Sequence, residues 1–289
     1  INGGGSLLQD VTSRRSLWFY LHNIQSAKRS GCKVQMYGCG IGPVTRENHR
    51  KLAAKVLNAN VDAITLREPD SLDELRAMGV TEPEILLTAD PALTLRRASD
   101  NETDSVLLRA GIPPHGRYLC FALRQWKGFE SKAPLFTRAA KYAYETYGLT
   151  PVFVAVEKHQ DPIAARQAAA GLDIPHYFLD DAGGAGTIIG ALSRMELVVS
   201  MRLHALIFAA GQGIPLSGVV YDPKVSAFLR YIGQELFTDL DALTEENLRD
   251  MIDRAAAQAS HPEAQAAAVE RLQGMERKNV ETARRLLGL

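Results

Sequence analysis

Leu197-Val198-Val199-Ser200-Met201-Arg202-Leu203-His204-Ala205 passes from one secondary structure to another without a linker. Leu197–Val199 is apolar without alternation, as a strand covered on both faces is. Ser200 suits a helix N-cap, and the composition of Arg202–Ala210 predicts the helix that follows. A buried strand that runs straight into a helix is the repeating unit of a parallel sheet. The next segment has the same grammar. Leu216–Val220 reads as a strand, Asp222 as a cap, and Pro223 as the first residue of a helix that begins Pro223-Lys224-Val225.

Working outward, strands are expected at Lys33–Tyr37, Ala63–Leu66, Ile85–Thr88, Tyr118–Leu123, Val152–Val156 and His176–Leu179. Helical segments separate most of them: Ser16–Arg29, Arg46–Ala59, Ser71–Met78, Leu135–Glu145, Pro162–Ala170 and Thr187–Met195. This alternation predicts an α/β protein with parallel sheets flanked by helices. The polar run Ala98–Asp104 and the turn-rich run Gly111–Gly116 place a boundary between them. The expected organisation is a Rossmann-like domain over 1–110, a second over 111–240, and helices over 241–289 that pack back across both. A cleft between the two domains is expected, with the ligand at the carboxyl ends of strands.

Composition narrows the function. The 289 residues carry 33 Lys+Arg and 33 Asp+Glu, so the net charge is zero. A protein that binds nucleic acid generically needs surplus cation, and none is present in bulk. With 46% hydrophobic and 23% charged residues the chain is an ordinary folded globule. Its longest apolar stretch, Ala205–Val220, is broken by Gly211, Gln212, Gly213 and Pro215, well short of the ~20 residues of a spanning helix. Cys32, Cys39 and Cys120 have neither disulfide-framework nor zinc spacing and read as free thiols of a reducing cytoplasm. The chain opens Ile1-Asn2-Gly3-Gly4-Gly5, an apolar residue and a glycine loop, which reads as a strand end and predicts an upstream strand-loop-helix.

Residues just after the strands are the candidates for chemistry. Arg202 and His204 fall in the first turn of a helix, where free N–H groups and the helix dipole favour an anion. A cation there is unfavourable unless an anion is bound or a histidine needs its pKa lowered. Lys224 repeats that placement one strand later. Arg67 ends the strand Ala63–Leu66; it reads either as a bidentate anion contact or as half of a surface pair with Glu68. Arg124 holds a similar place after Tyr118–Leu123, with Trp126 and Lys127 beside it. His159 follows Val152–Val156. The glycine clusters Gly3-Gly4-Gly5 and Gly38-Cys39-Gly40-Ile41-Gly42-Pro43 read as tight turns, the second lacking dinucleotide or P-loop spacing. No metal-spaced His/Cys set occurs.

Gly3-Gly4-Gly5-Ser6-Leu7-Leu8-Gln9-Asp10, Tyr37-Gly38-Cys39-Gly40-Ile41-Gly42-Pro43, Ile64-Thr65-Leu66-Arg67-Glu68, Thr88-Ala89-Asp90-Pro91-Ala92, Ser200-Met201-Arg202-Leu203-His204-Ala205 and Tyr221-Asp222-Pro223-Lys224-Val225 occur in that order. Together they resemble the polysaccharide pyruvyl transferase family, in particular its bacterial cell-wall branch, whose members carry an upstream glycine-rich segment ahead of these pieces. The resemblance implies a GT-B-like fold, two Rossmann-like domains facing across a cleft. It implies transfer of the enolpyruvyl group of phosphoenolpyruvate (PEP) to a sugar, giving a pyruvate ketal and phosphate, without metal or nucleotide. It further implies a lipid-linked, N-acetylmannosamine-containing acceptor in the cytoplasm at the inner face of the membrane, and a product that anchors surface-layer proteins. On that basis His204 is the expected general acid or base. Arg67, Arg202, Leu203 and Lys224 are expected to hold PEP, with Arg124 in reserve. Gly3, Gly4, Gly5, His159 and Trp126 are the expected acceptor contacts, and Arg284-Arg285-Leu286-Leu287 is a candidate for peripheral membrane contact. Oligomeric state is left open. Two other functions fit the same architecture: a GT-B glycosyltransferase that uses a nucleotide sugar, and a non-catalytic glycan-binding module.

Overall fold

The computed structural model describes residues 1, 6–11, 14–259 and 263–289. The chain forms two compact units, Ile1–Leu93 with Glu270–Leu289, and Thr94–Val269. Among the described residues both sheets are parallel throughout.

The first unit alternates β1 (Ser6–Leu8), α1 (Arg14–Arg29), β2 (Gln35–Ile41), α2 (Glu47–Asn60), β3 (Ala63–Leu66), α3 (Pro69–Met78) and β4 (Glu84–Leu87). The sheet order is β1-β2-β3-β4. Leu17, Leu21 and Ile24 project from one face of α1, at helical spacing, into a core with Met36, Leu57, Ile64 and Leu66. The glycine-rich run expected as a turn is instead the end of β2. Its ladder with β3 shifts register between Met36 and Cys39 and resumes with Cys39 opposite Leu66, and Gly40 serves a close approach. A Cβ on Gly40 would lie 2.6 Å from Glu68 Oε1 and 3.1 Å from Arg67 Nε. Gly38 has φ +53°, a conformation that favours glycine.

The second unit runs α4 (Asp100–Arg109), β5 (Tyr118–Ala122), α5 (Phe129–Tyr147), β6 (Thr150–Val154), α6 (Asp161–Ala168), β7 (Tyr177–Leu179), α7 (Ala185–Leu192), β8 (Leu197–Ser200), α8 (Leu203–Gly211), β9 (Leu216–Val220), α9 (Pro223–Tyr231), β10 (Phe237–Asp239) and α10 (Glu245–Gln258). The sheet order is β10-β9-β8-β5-β6-β7. From β5 the chain builds outward to β7, then returns to β8 on the other side of β5. That reversal is the topological switch point of a doubly wound sheet, where ligands bind beyond the carboxyl ends of the strands. Phe121, Phe136 and Phe153 are fully buried beneath it.

The boundary differs from the sequence expectation. Units divide at Leu93/Thr94, before residue 110, because Ala98–Asp104 is largely helix rather than linker. Ser99 and Glu102 form a capping box that starts α4, and α4 lies against α7. The C-terminal helices also divide. Helix α10 packs on α5, whereas the part of α11 (Glu263–Leu287) from Glu270 onward belongs to the first unit. There the fully buried Asn279 donates to the Ala89 carbonyl at 3.1 Å and accepts from the Thr88 hydroxyl at 2.9 Å. Among the described residues no helix is long and apolar enough to cross a membrane.

Candidate active site

Carboxyl ends of β5 and β8 flank the switch point, and the residues after them are Arg124 and Arg202. Ser200 ends β8 and is not the N-cap. Its hydroxyl accepts from the Arg202 N–H at 2.8 Å and lies 3.1 Å from the Ala122 carbonyl of β5, locking the turn. Arg202 is therefore the N-cap, in extended conformation at φ −83°, ψ 117°, with Leu203 and His204 opening α8. The Leu203 side chain is buried in the core.

Arg202 is held by Asp161, whose two carboxylate oxygens lie 2.9 and 2.8 Å from Nε, and Nη2 also donates to Asp161. Asp161 is itself buried and accepts from the N–H groups of Val156 and Glu157 at 3.0 and 2.9 Å. The pair thus ties the loop after β6 to the start of α8. His204 lines a cavity of about 260 Å³ with Val156, Lys158, Asp181, Gly184 and Phe208. Gly184 is the N-cap of α7, so the cavity meets two helix N-termini, the backbone signature of an anion site. His159 is exposed and is not among the residues that line it.

One strand away, Tyr221 gathers the remaining candidates. Arg124 Nη1 donates to its hydroxyl at 3.1 Å, and the guanidinium carbon lies 5.1 Å from the Tyr221 ring and 5.3 Å from that of Trp126. The Trp126 and Tyr221 centroids are 4.8 Å apart. Lys224 Nζ is 5.8 Å from the Tyr221 ring and 3.0 Å from Asp222, whose side chain caps α9 through the Lys224 N–H. Trp126, Tyr221 and Asp222 border a second cavity of about 430 Å³ together with Asp239 and Asp241. The organising role of Tyr221 escaped the sequence reading; an aromatic between a strand end and Asp-Pro-Lys is the signal that pointed to it.

Arg67 belongs to the first unit and is buried. Nε donates to Glu68 at 2.6 Å, Nη1 donates to Asp90 at 3.0 Å, and Nη2 is buried without a hydrogen-bond partner among the described residues. Burial works against the guanidinium charge, yet Glu68 and then Asp90 overcome it and hold the pKa above its usual value. The expected pair with Glu68 exists, but it is internal rather than on the surface. Arg67 is thus paired with two carboxylates, and Arg202 and Lys224 with one each. Arg124 has no carboxylate within ion-pair distance among the described residues, and its cation is shared only with aromatic faces and a phenol. Gly3, Gly4 and Gly5 lie outside the described residues. Among the described residues no group of three His, Cys, Asp or Glu is placed to hold a metal ion.

Solved structures with this architecture are GT-B proteins. UDP-GlcNAc 2-epimerase from Neisseria meningitidis, bound to UDP-GlcNAc, superposes with a TM-score of 0.59 at 10% identity, covering 91% of this chain and 72% of that one. HepE from Anabaena in complex with UDP gives 0.58 at 13% identity, over 91% and 75%. A glycosyltransferase from Rickettsia africae gives 0.53 at 11% identity, over 96% and 83%. The chain therefore has a GT-B-type α/β fold. Residues 1–223 match the family model "Polysaccharide pyruvyl transferase", and the protein belongs to that family of transferases. No curated protein matches it.

Proposed function

We propose that the protein transfers the enolpyruvyl group of PEP to a sugar of a cell-wall polysaccharide precursor, with His204 as the proton-transfer group. The observation that supports this reading most is the placement of His204. It stands at the start of α8, on the rim of a cavity that also meets the N-terminus of α7. PEP carries a carboxylate and a phosphate close together. Helix N-termini and a cation suit both, and Arg124 and Lys224 supply cations at the neighbouring strand ends.

The reaction balances with the residues in hand. A proton adds to the PEP methylene, making it a methyl group and leaving an oxocarbenium-like carbon. One sugar hydroxyl attacks that carbon and loses its proton; phosphate departs with the C–O bond electrons; a second hydroxyl then closes the ketal. Of the two hydroxyl protons released, one balances the methyl group and the other the phosphate. His204 would relay a proton in this sequence, a role worth typically ~10²–10⁴-fold. The scheme needs neither metal nor nucleotide. The finer reading, a lipid-linked N-acetylmannosamine disaccharide modified at the cytoplasmic face for surface-layer anchoring, rests on the sequence resemblance to the family's cell-wall branch.

Phosphate release from PEP in the presence of that disaccharide tests the proposal. His204→Ala should abolish release with an unchanged circular dichroism spectrum, and Lys224→Ala and Arg124→Ala should raise the KM for PEP. Dialysis against a chelator should leave the rate unchanged. Near-normal turnover of His204→Ala would sink the assignment. The likeness to UDP-binding structures favours a second reading, a nucleotide-sugar glycosyltransferase, and calorimetry separates the two. Tight uridine-nucleotide binding with no heat from PEP would support the second.

A further inference from the structure

A second histidine stands at the carboxyl edge of the first unit. Asp10, just past β1, has a side chain with no exposed surface, and His49 in the first turn of α2 is 13% exposed. The Asp10 carboxylate accepts from His49 Nδ1 at 2.8 Å, from the Thr45 N–H at 2.8 Å and hydroxyl at 2.9 Å, and from the Arg46 N–H at 3.2 Å. Burial opposes its ionisation, but the Thr45 and His49 hydrogen bonds and the others outweigh it and hold the pKa far below the ordinary carboxylate range. An ionised carboxylate only accepts, so Nδ1 carries the hydrogen, and in the neutral ring the lone pair is left on Nε2. Nε2 has no hydrogen-bond partner among the described residues.

Capping explains only half of this cluster. Arg46 is the N-cap of α2 and supplies no side-chain bond; Asp10 accepts from its N–H and from that of Thr45 before it, fixing the entry to the helix. That task needs no imidazole. Beside the ring lies Trp18 of α1, edge-on at 6.4 Å between centroids and 53% exposed. An imidazole oriented by its carboxylate, next to a half-exposed indole, fits a ligand that has both hydroxyls and a C–H face.

We propose that His49, oriented by Asp10 and flanked by Trp18, is a saccharide-binding site of the first unit, with Nε2 accepting a hydrogen bond from a sugar hydroxyl while the indole covers the ring. The inference rests on the reading of the protein as a sugar-modifying transferase and assigns the acceptor's binding to these residues. Asn is the discriminating replacement, because its amide N–H can keep the bond to Asp10 while nothing replaces Nε2. In a Trp126→Phe background Trp18 is the sole tryptophan, and its fluorescence reports titration with the N-acetylmannosamine-containing disaccharide freed of its lipid.

His49→Asn should weaken disaccharide affinity and raise the acceptor KM by about tenfold. The PEP KM and the thermal melting curve should stay unchanged. Trp18→Ala, at an exposed position, should do the same, its disaccharide affinity read by calorimetry because that variant lacks the fluorescent reporter, and it serves if His49→Asn does not fold. Unchanged disaccharide affinity in both variants overturns the proposal, as does a parent protein whose Trp18 signal ignores the disaccharide. Calorimetry with PEP on the same samples tests the donor separately: no PEP binding would sink the donor reading and leave the disaccharide result standing.

Discussion

Arg67 and Arg124 occupy equivalent places, each just after a strand of a parallel sheet, and the two units use them in opposite ways. Arg67 is sunk between two carboxylates, so that the group as a whole carries one net negative charge. Arg124 lies on two aromatic rings with a phenol as its hydrogen-bond partner and keeps its positive charge. Arg202 is intermediate, a cation cancelled by the single buried carboxylate of Asp161. Position at a strand end therefore does not fix an arginine's surroundings; the partners the fold brings to it do. Arg67 is tied into the first unit as a keystone between two carboxylates, and Arg124, held in reserve at the sequence level, has no carboxylate at ion-pair distance among the described residues.

The largest expected effect tests the keystone. Arg67→Ala leaves Glu68 and Asp90 facing each other without their partner, and breaking a buried pair typically costs about 3–5 kcal/mol. Two buried thiols report the units separately. Cys39 lies beside Arg67, with its pKa pushed up to about 12, chiefly by burial, and Cys120 sits in β5 of the second unit. Both react only when their unit opens. Arg67→Ala should therefore accelerate labelling of Cys39 and leave Cys120 unchanged. Equal acceleration at both, or at neither, would break the distinction.

Gly40→Ala probes the same keystone without removing a charge. The added Cβ meets Glu68 Oε1 at 2.6 Å and Arg67 at 3.1 Å, so the pair must shift. Overpacking of this kind typically costs about 1–3 kcal/mol. Denaturant unfolding should show a loss smaller than that of Arg67→Ala. Near-zero loss in the double variant beyond Arg67→Ala alone would confirm that both act through one contact.

Much of the fold was legible from local pattern. Ala63–Leu66 and Leu216–Val220 are strands as expected, because an apolar run bounded by turn residues has few alternatives. The misses have local causes. Ser6–Leu8 and Phe237–Asp239 are three-residue strands that include polar residues (Ser6, Thr238, Asp239), whereas the equally short Tyr177–Leu179 is aromatic and apolar and was legible. Gly38–Pro43 read as a turn because glycine usually marks one, whereas within β2 Gly40 makes room for Arg67 and Glu68. Helix α4 was missed although Ser99 and Glu102 have capping-box spacing, since the surrounding polarity suggested a linker. At the candidate site the residue types after strands were legible, but their partners were not. Asp161 lies 41 residues before Arg202, and Asp10 lies 39 residues before His49. Only the folded sheet brings such pairs together.

The smallest stability effect sharpens the other side of the comparison. Lys224 and Asp222 each keep a third of their side chain exposed, and such a pair contributes about 0–1 kcal/mol. Lys224→Ala should therefore leave denaturant unfolding within about 1 kcal/mol of the parent, because the Asp222 cap on the Lys224 N–H uses backbone and survives the change. Arg124→Ala should be similarly mild, losing one hydrogen bond to Tyr221 and its contact with two rings. If both cations serve PEP, the double variant should raise the KM for PEP by more than either single change while the protein stays folded. A double variant that is stable and retains the parent KM would show that the cations around Tyr221 hold no anion. The donor would then have to be sought at His204 and Lys158 alone, around the cavity that meets the N-terminus of α7.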